Sequence, residues 1–113
     1  YYLRTNGAWL QANADAESTT KGLLGLGFGA SSQTQGLLLE GFMRVAATEI
    51  LNIPGSGNVD GLPVYLATTS GHLDFTAPSS STEFVRVLGY AIDDALGDVL
   101  IYFNPDKTYI EIA

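Results

Sequence analysis

Apolar residues in this chain come in short runs, broken by Gly, Pro, Ser, Thr and Asn about every 8 to 12 positions, the rhythm of an all-β sandwich or barrel. The runs predict strands at Tyr1–Arg4, Ala8–Gln11, Gly22–Phe28, Gly36–Phe42, Leu62–Ala67, His72–Phe75, Phe84–Ile92, Val99–Phe103 and Thr108–Ile112. Asn6-Gly7 and Ser70-Gly71 supply residues suited to tight hairpin turns between short apolar pieces. The stretch ANADAESTTK has the propensity for a short helix. Its counterpart further along, TAPSSSTE, carries Pro78 and three serines, so both are expected to be loops. A helical turn is more at home in AATEIL or in IDDAL.

The pattern is written twice. Residues 2–10 read YLRTNGAWL and residues 65–73 read YLATTSGHL, sharing Tyr2/Tyr65, Leu3/Leu66, Thr5/Thr68 and Leu10/Leu73. Leu24, Leu26 and Phe28 then align with Leu88, Tyr90 and Ile92, and LLL at 37–39 aligns with VLI at 99–101. Strand side chains alternate faces. In both copies the bulky residues therefore share one face, and Gly25 and Gly27, or Gly89 and Ala91, take the other. Small residues along one side of a strand invite close approach by another backbone. The expectation is an all-β fold, a small β-barrel or sandwich built from two similar four-stranded halves, about 1–61 and 62–113, within a single β domain spanning 1–113. Two copies are too few for a solenoid, which needs three or more to bury its core, whereas two half-units can close on each other.

Composition agrees with a folded domain. Apolar residues make up 46% and charged residues 15% of the 113. The absence of cysteine removes disulfides, thiolate metal sites and cysteine nucleophiles together. Five Lys plus Arg against twelve Asp plus Glu leave a formal net charge of −7. The cations Arg4, Lys21, Arg44, Arg86 and Lys107 are scattered, so there is no basic stripe for nucleic acid. The same balance disfavours an anionic membrane surface, and no apolar run approaches the roughly 20 residues of a spanning helix. The chain opens inside a strand-like segment without Met, which reads as a piece of something longer.

Candidate chemistry is sparse. GLGFGA at 25–30 formally satisfies G-x-G-x-x-A, but SSQTQG follows where a nucleotide-binding helix would have to begin, so no cofactor is expected. His72 is the only histidine, flanked by Ser70 and Asp74. On a strand those two would share the face opposite His72, a poor arrangement for a nucleophilic relay. The repeat places His72 where the first copy has Trp9, the slot of a structural or surface aromatic. Asp93, Asp94 and Asp98, and Asn58 with Asp60, are acidic loops without calcium-loop spacing, and no metal is expected. Most aromatics fall at alternating strand positions and read as core. Trp9, His72 and Tyr109 are the candidates for surface or glycan contact, and Gly25 and Gly27 for a subunit contact if nothing within the chain covers them. No catalytic residue is assigned, and the chain is not expected to be an enzyme.

The succession YYLRTNGAWLQANADAESTTKGLLGLGFG, GLLLEGFMRVA, GLPVYLATTSGHLDFTAP, VRVLGYAI and VLIYFNPDKTYIEIA resembles a domain that recurs at the C-terminal end of fibre-like structural proteins of tailed bacteriophages. The resemblance covers essentially the whole chain. The phrases G-x-P-V-Y-L and V-L-G-Y are also similar to small β-barrel head-decoration (cement) proteins of phages. What the resemblance implies is a non-enzymatic virion module, on a tail fibre or the capsid surface. It also implies a homo-oligomer, trimeric for preference, with other virion proteins and a host-surface glycan as partners. No catalytic residues come with it.

Overall fold

The computed structural model describes residues 2–3, 9–28, 36–54, 59–93 and 98–113. It is mostly β, with almost no helix, around a curled half-barrel sheet. The strands are β1 (Tyr2–Leu3), β2 (Trp9–Leu10), β3 (Leu26–Gly27), β4 (Leu37–Leu38), β5 (Gly41–Val45), β6 (Ile50–Leu51), β7 (Pro63–Leu66), β8 (Leu73–Asp74), β9 (Phe84–Val85), β10 (Val87–Asp93), β11 (Val99–Phe103) and β12 (Ile110–Glu111). Six of them form one sheet in the order β5-β11-β10-β7-β8-β6, while β1-β2, β3-β4 and β9-β12 are separate two-stranded pieces. Every pairing is antiparallel except that of β6 with β8.

Each predicted strand contains an observed one, but two long runs are divided. Gly36–Phe42 pairs first with β3, bends at Leu39 and Glu40, and continues as β5 against β11. Phe84–Ile92 breaks at Arg86, so that β9 pairs with β12 while β10 joins the large sheet. Arg86, only 5% exposed, keeps the in-out alternation of Phe84–Leu88, and at this residue the chain passes from one pairing partner to the other. The ANADAESTTK stretch, expected as a loop, contains one α-helical turn, α1 (Glu17–Thr20). Ala16 offers no side-chain cap. The turn is held instead by Thr20, whose hydroxyl donates to the Ala16 carbonyl at 2.7 Å, and by Thr19, whose hydroxyl donates to the Asn13 carbonyl at 2.9 Å. The helical turn expected within AATEIL is a 3₁₀ helix, Ala47–Glu49, and leads straight into β6. In IDDAL, Ile92 and Asp93 close β10, and the remainder lies outside the described residues.

Alternation in the large sheet is regular. Along β11, Val99, Ile101 and Phe103 are buried while Leu100 and Tyr102 are half-exposed, as a strand with one dry face requires. Val64, Ile101 and Phe103 are among the largest fully enclosed side chains, each contributing roughly 1.5–3 kcal/mol by leaving water. One buried cluster joins them to Leu24, Val45, Ile50, Leu66, Leu73 and Leu88. The strand-free segment Ala12–Ala14 straps across this core. Gly71 N–H donates to Ala12 O at 3.0 Å, Ala14 N–H to Ala67 O at 2.9 Å, and Phe84 N–H to Ala14 O at 2.9 Å. Only a side chain as small as alanine lets the strap lie this close, and Ala12 and Ala14 are 2% and 0% exposed.

The small face of the run Phe84–Ile92 does meet close neighbours. A Cβ on Gly89 would overlap the carbonyl oxygen of Tyr102 on β11. The β10–β7 register also shifts between Val87 and Gly89, the bulge that a strand glycine often marks.

Candidate functional site

A pocket of about 490 Å³ lies between the Leu24–Phe28 segment and the large sheet. Its floor is core: Leu24, Leu66, Leu73, Leu88 and Phe103. Gln11, Arg44, Glu49 and His72 are the polar residues of its lining, and Phe28, 56% exposed, adds an aromatic face. Apolar walls with a few convergent polar groups, at a volume within the roughly 300–1,000 Å³ of small-molecule sites, describe a binding pocket in general terms.

His72 is placed by a tight turn. Its N–H donates to the Thr69 carbonyl at 3.2 Å, and Gly71 takes φ +77, a conformation glycine adopts without strain. The imidazole is then anchored through Nδ1, 3.1 Å from the Ser70 carbonyl oxygen. A carbonyl only accepts, so Nδ1 carries the proton and Nε2 presents its lone pair in the neutral ring. Nε2 lies 3.8 Å from Glu49 Oε2. Glu49 closes the 3₁₀ helix, so its carboxylate reaches the β7–β8 turn from a different part of the chain. Glu49 is not a sequence neighbour of His72, so strand faces alone do not reveal this pairing. The expected neighbours are engaged elsewhere. The Ser70 hydroxyl accepts from Asn13 Nδ2 at 3.0 Å, and Asp74 Oδ1 accepts from Asn52 Nδ2 and from Thr76 N–H, each at 2.8 Å.

The other candidates are dispersed. Trp9 is half-buried in β2, opposite Leu3 of β1. Tyr109 stands edge-on to Phe84, with ring centroids 6.1 Å apart. Gly25 is buried within the chain, where a Cβ would come 3.2 Å from Leu37 Cβ. The condition for a subunit contact is therefore not met at Gly25. Gly27 is half-buried in β3 and lines the pocket. Of the acidic loops, Asp98 accepts from the Ala47 N–H at 3.3 Å, while Asn58 and Asp94 lie outside the described residues. Among the described residues no group of three or more His, Asp or Glu is placed to hold a metal ion.

No family model, curated protein or solved structure matches this chain.

The opposite surface of the large sheet is the second feature. Phe42, Tyr102 and Tyr90 lie in register across β5, β11 and β10. Phe42 is 61% and Tyr90 52% exposed, and the Phe42 and Tyr102 rings are 5.0 Å apart. Ile92, two residues beyond Tyr90 on the same face, is also exposed. Their alternating strand positions had pointed to Tyr90 and Tyr102 as core. Strand alternation is symmetric, so it says which residues share a face without saying which face is dry.

Proposed function

We propose that the chain is a structural module of a tailed-phage virion, a fibre-type β domain that acts through assembly and contact with the host surface rather than by catalysis. The observation that carries this reading is the aromatic row Phe42–Tyr102–Tyr90 on the outer sheet face. Contiguous exposed apolar residues of this kind mark contact surfaces, and covering them recovers roughly 25 cal/mol per Å² of apolar area. The row reaches the edge strand β5, and an uncovered edge is the part of a sheet most in need of a neighbour. The resemblance of the sequence to fibre and head-decoration domains points to further copies of the same chain as that neighbour, in a homotrimer placed on a tail fibre or on the capsid.

Sedimentation equilibrium tests this. A trimer that persists on dilution, and falls apart when Phe42 and Tyr90 are both replaced by Ser, is expected. A wild-type chain that sediments as a monomer throughout overturns the reading.

The repeat gives a finer proposal, that the sheet system descends from two similar four-stranded halves. In its favour, both copies open on an antiparallel hairpin, β1–β2 and β7–β8. Tyr2 pairs with Leu10, and the aligned Tyr65 pairs with Asp74, one residue past the aligned Leu73.

A carbohydrate-binding module is the second reading, favoured by the pocket beside His72. Glycan-array binding that disappears in Trp9→Ala would locate it on the end-loop aromatics, whereas binding that survives there directs attention to the pocket.

A further inference from the structure

We infer that the pocket binds a saccharide through a vicinal diol, with His72 Nε2 and Glu49 Oε2 as paired acceptors and Phe28 as the apolar platform. The inference does not depend on the assembly reading, because all three groups belong to one chain.

The argument begins with a mismatch in hydrogen bonding. With its Nδ1 proton committed to the Ser70 carbonyl at 3.1 Å, the neutral His72 ring turns a lone pair toward a carboxylate oxygen 3.8 Å away. In the neutral ring two acceptors then face each other beyond hydrogen-bond length, whereas a protonated His72 would face Glu49 as an ion pair. What satisfies both at once is a group carrying two donors side by side. Adjacent hydroxyls on a sugar ring do so, one donating to the imidazole and the other to the carboxylate.

The rest of the lining selects among double donors. Gln11 packs its amide against Gly71, so close that a Cβ there would come 2.8 Å from Nε2. This places a group able both to donate and to accept beside the same opening, suited to hydroxyls, which also do both. Phe28 and Leu26 offer an apolar surface of the kind that packs against the C–H face of a pyranose. A fatty acid would suit the floor, and Arg44 also lines the pocket, but its carboxylate would have to sit beside that of Glu49. An alkylammonium would suit the acceptors but would make no use of the amide acceptor and donor together. The pocket volume of about 490 Å³ has room for a saccharide of this class.

The test is titration of the intact chain, followed by saturation-transfer NMR and calorimetry. The probes are the methyl glycosides of mannose, galactose, fucose and glucose, with dodecanoate and butylammonium as contrasts. At least one glycoside is expected to bind, and its analogue lacking one hydroxyl of the recognised diol to lose at least tenfold in affinity. Glu49→Gln and His72→Phe should each weaken the same glycoside at least tenfold, while Trp9→Ala leaves it unchanged. Glu49 is 56% exposed at its side chain, so Glu49→Gln is expected to keep the native spectrum and carries the test even if His72→Phe does not fold. Four outcomes overturn the inference: no glycoside binding, binding indifferent to Glu49→Gln, loss only in Trp9→Ala, or occupancy by dodecanoate or butylammonium in place of sugar. None of these changes the sedimentation result expected for a trimer, so failure of the two proposals can be told apart.

Discussion

The guanidinium of Arg86 donates through Nη1 to the carbonyl oxygen of Thr20 at 2.7 Å, tying the end of α1 to the break between β9 and β10 across 66 positions of sequence. The same nitrogen reaches the Gly22 carbonyl at 2.9 Å, and Nε reaches the Asp106 carbonyl at 2.7 Å. Burial pushes the Arg86 pKa down while Asp106 and Tyr109 pull it up, and the group stays charged. These partners are carbonyls rather than a carboxylate, so the cation works as a fork that fills three backbone acceptors from two segments.

Arg86→Met should therefore cost about 3 kcal/mol, because it strands buried acceptors at roughly 1–3 kcal/mol each, less what water can recover. Arg86→Lys should recover only part of that, since a point charge cannot span the fork. Urea denaturation with unchanged slope is the measurement. A loss below about 1 kcal/mol for Arg86→Met would show that water reaches these carbonyls freely.

Thr82 sits at φ 68, in the left-handed region that a β-branched residue adopts only under strain. Its N–H donates to the Ile112 carbonyl at 2.7 Å, and Glu83 N–H closes the turn onto Ser80 O at 3.2 Å. These backbone bonds survive a change of side chain. Thr82→Asn, which tolerates the conformation, is expected to stabilise the chain by about 1 kcal/mol and to raise the melting temperature by a few degrees. An unchanged or lower melting temperature would mean that the threonine side chain makes a compensating contact.

Strand positions were legible because their signal is local: a run such as VLIYF is rich in β-branched and aromatic residues, and β11 follows it residue for residue. The Ser70-Gly71 turn was legible for the same reason, and Gly71 does take a positive φ there. Partner choice was not. Gly36–Phe42 gives no local sign that it leaves β3 for β11 at Leu39 and Glu40, because that switch is decided by which sheet has room. Nor does IL at 50–51 look like a strand, since its pairing with β8 is parallel and supplied from 23 residues away. The His72–Glu49 pair was hidden likewise, linking residues that only β6–β8 pairing brings together. What could have raised it was a carboxylate in AATEIL beside an apolar pair destined for the core.

Gly89 and Gly25 occupy aligned positions in the repeat, and their environments separate two kinds of crowding. At Gly89 a new methyl would meet the backbone of Tyr102, which is locked in the β10–β11 ladder. At Gly25 it would meet the side chain of Leu37, at 3.2 Å, which can shift by tenths of an ångström. Gly89→Ala should cost about 3 kcal/mol, the upper end of overpacking penalties, and Gly25→Ala about 1 kcal/mol. Denaturation midpoints of the two variants check the order. Equal losses would contradict the view that a rigid neighbour makes the difference.

Asn52 stands at φ 56 and donates from Nδ2 to Asp74 at 2.8 Å, clamping the end of β6 to β8. Two substitutions divide its roles. Asn52→Gly keeps the backbone conformation and loses the bond, at about 1 kcal/mol. Asn52→Ala loses the bond and must also hold a left-handed conformation, adding about 1 kcal/mol more. Thermal melts of both variants should therefore fall in the order wild type, Gly, Ala. A glycine variant less stable than the alanine one would rule out conformation as part of the role.

Phe42 is the most exposed member of the aromatic row, and what covers it sets how its removal reads out. If water alone faces the row, the pair with Tyr102 is worth about 0.5–1 kcal/mol, and the melting temperature is independent of protein concentration. If further copies cover it, native association stabilises the fold by mass action, and the melting temperature climbs with concentration. The second behaviour is expected. Across a hundredfold dilution series the wild type should lose melting temperature steadily, while Phe42→Ser starts lower and stays flat. Parallel slopes for both would mean that the association runs through another surface, even if the chain is a trimer. A flat wild-type series would leave the row facing solvent and remove the observation on which the assembly reading rests.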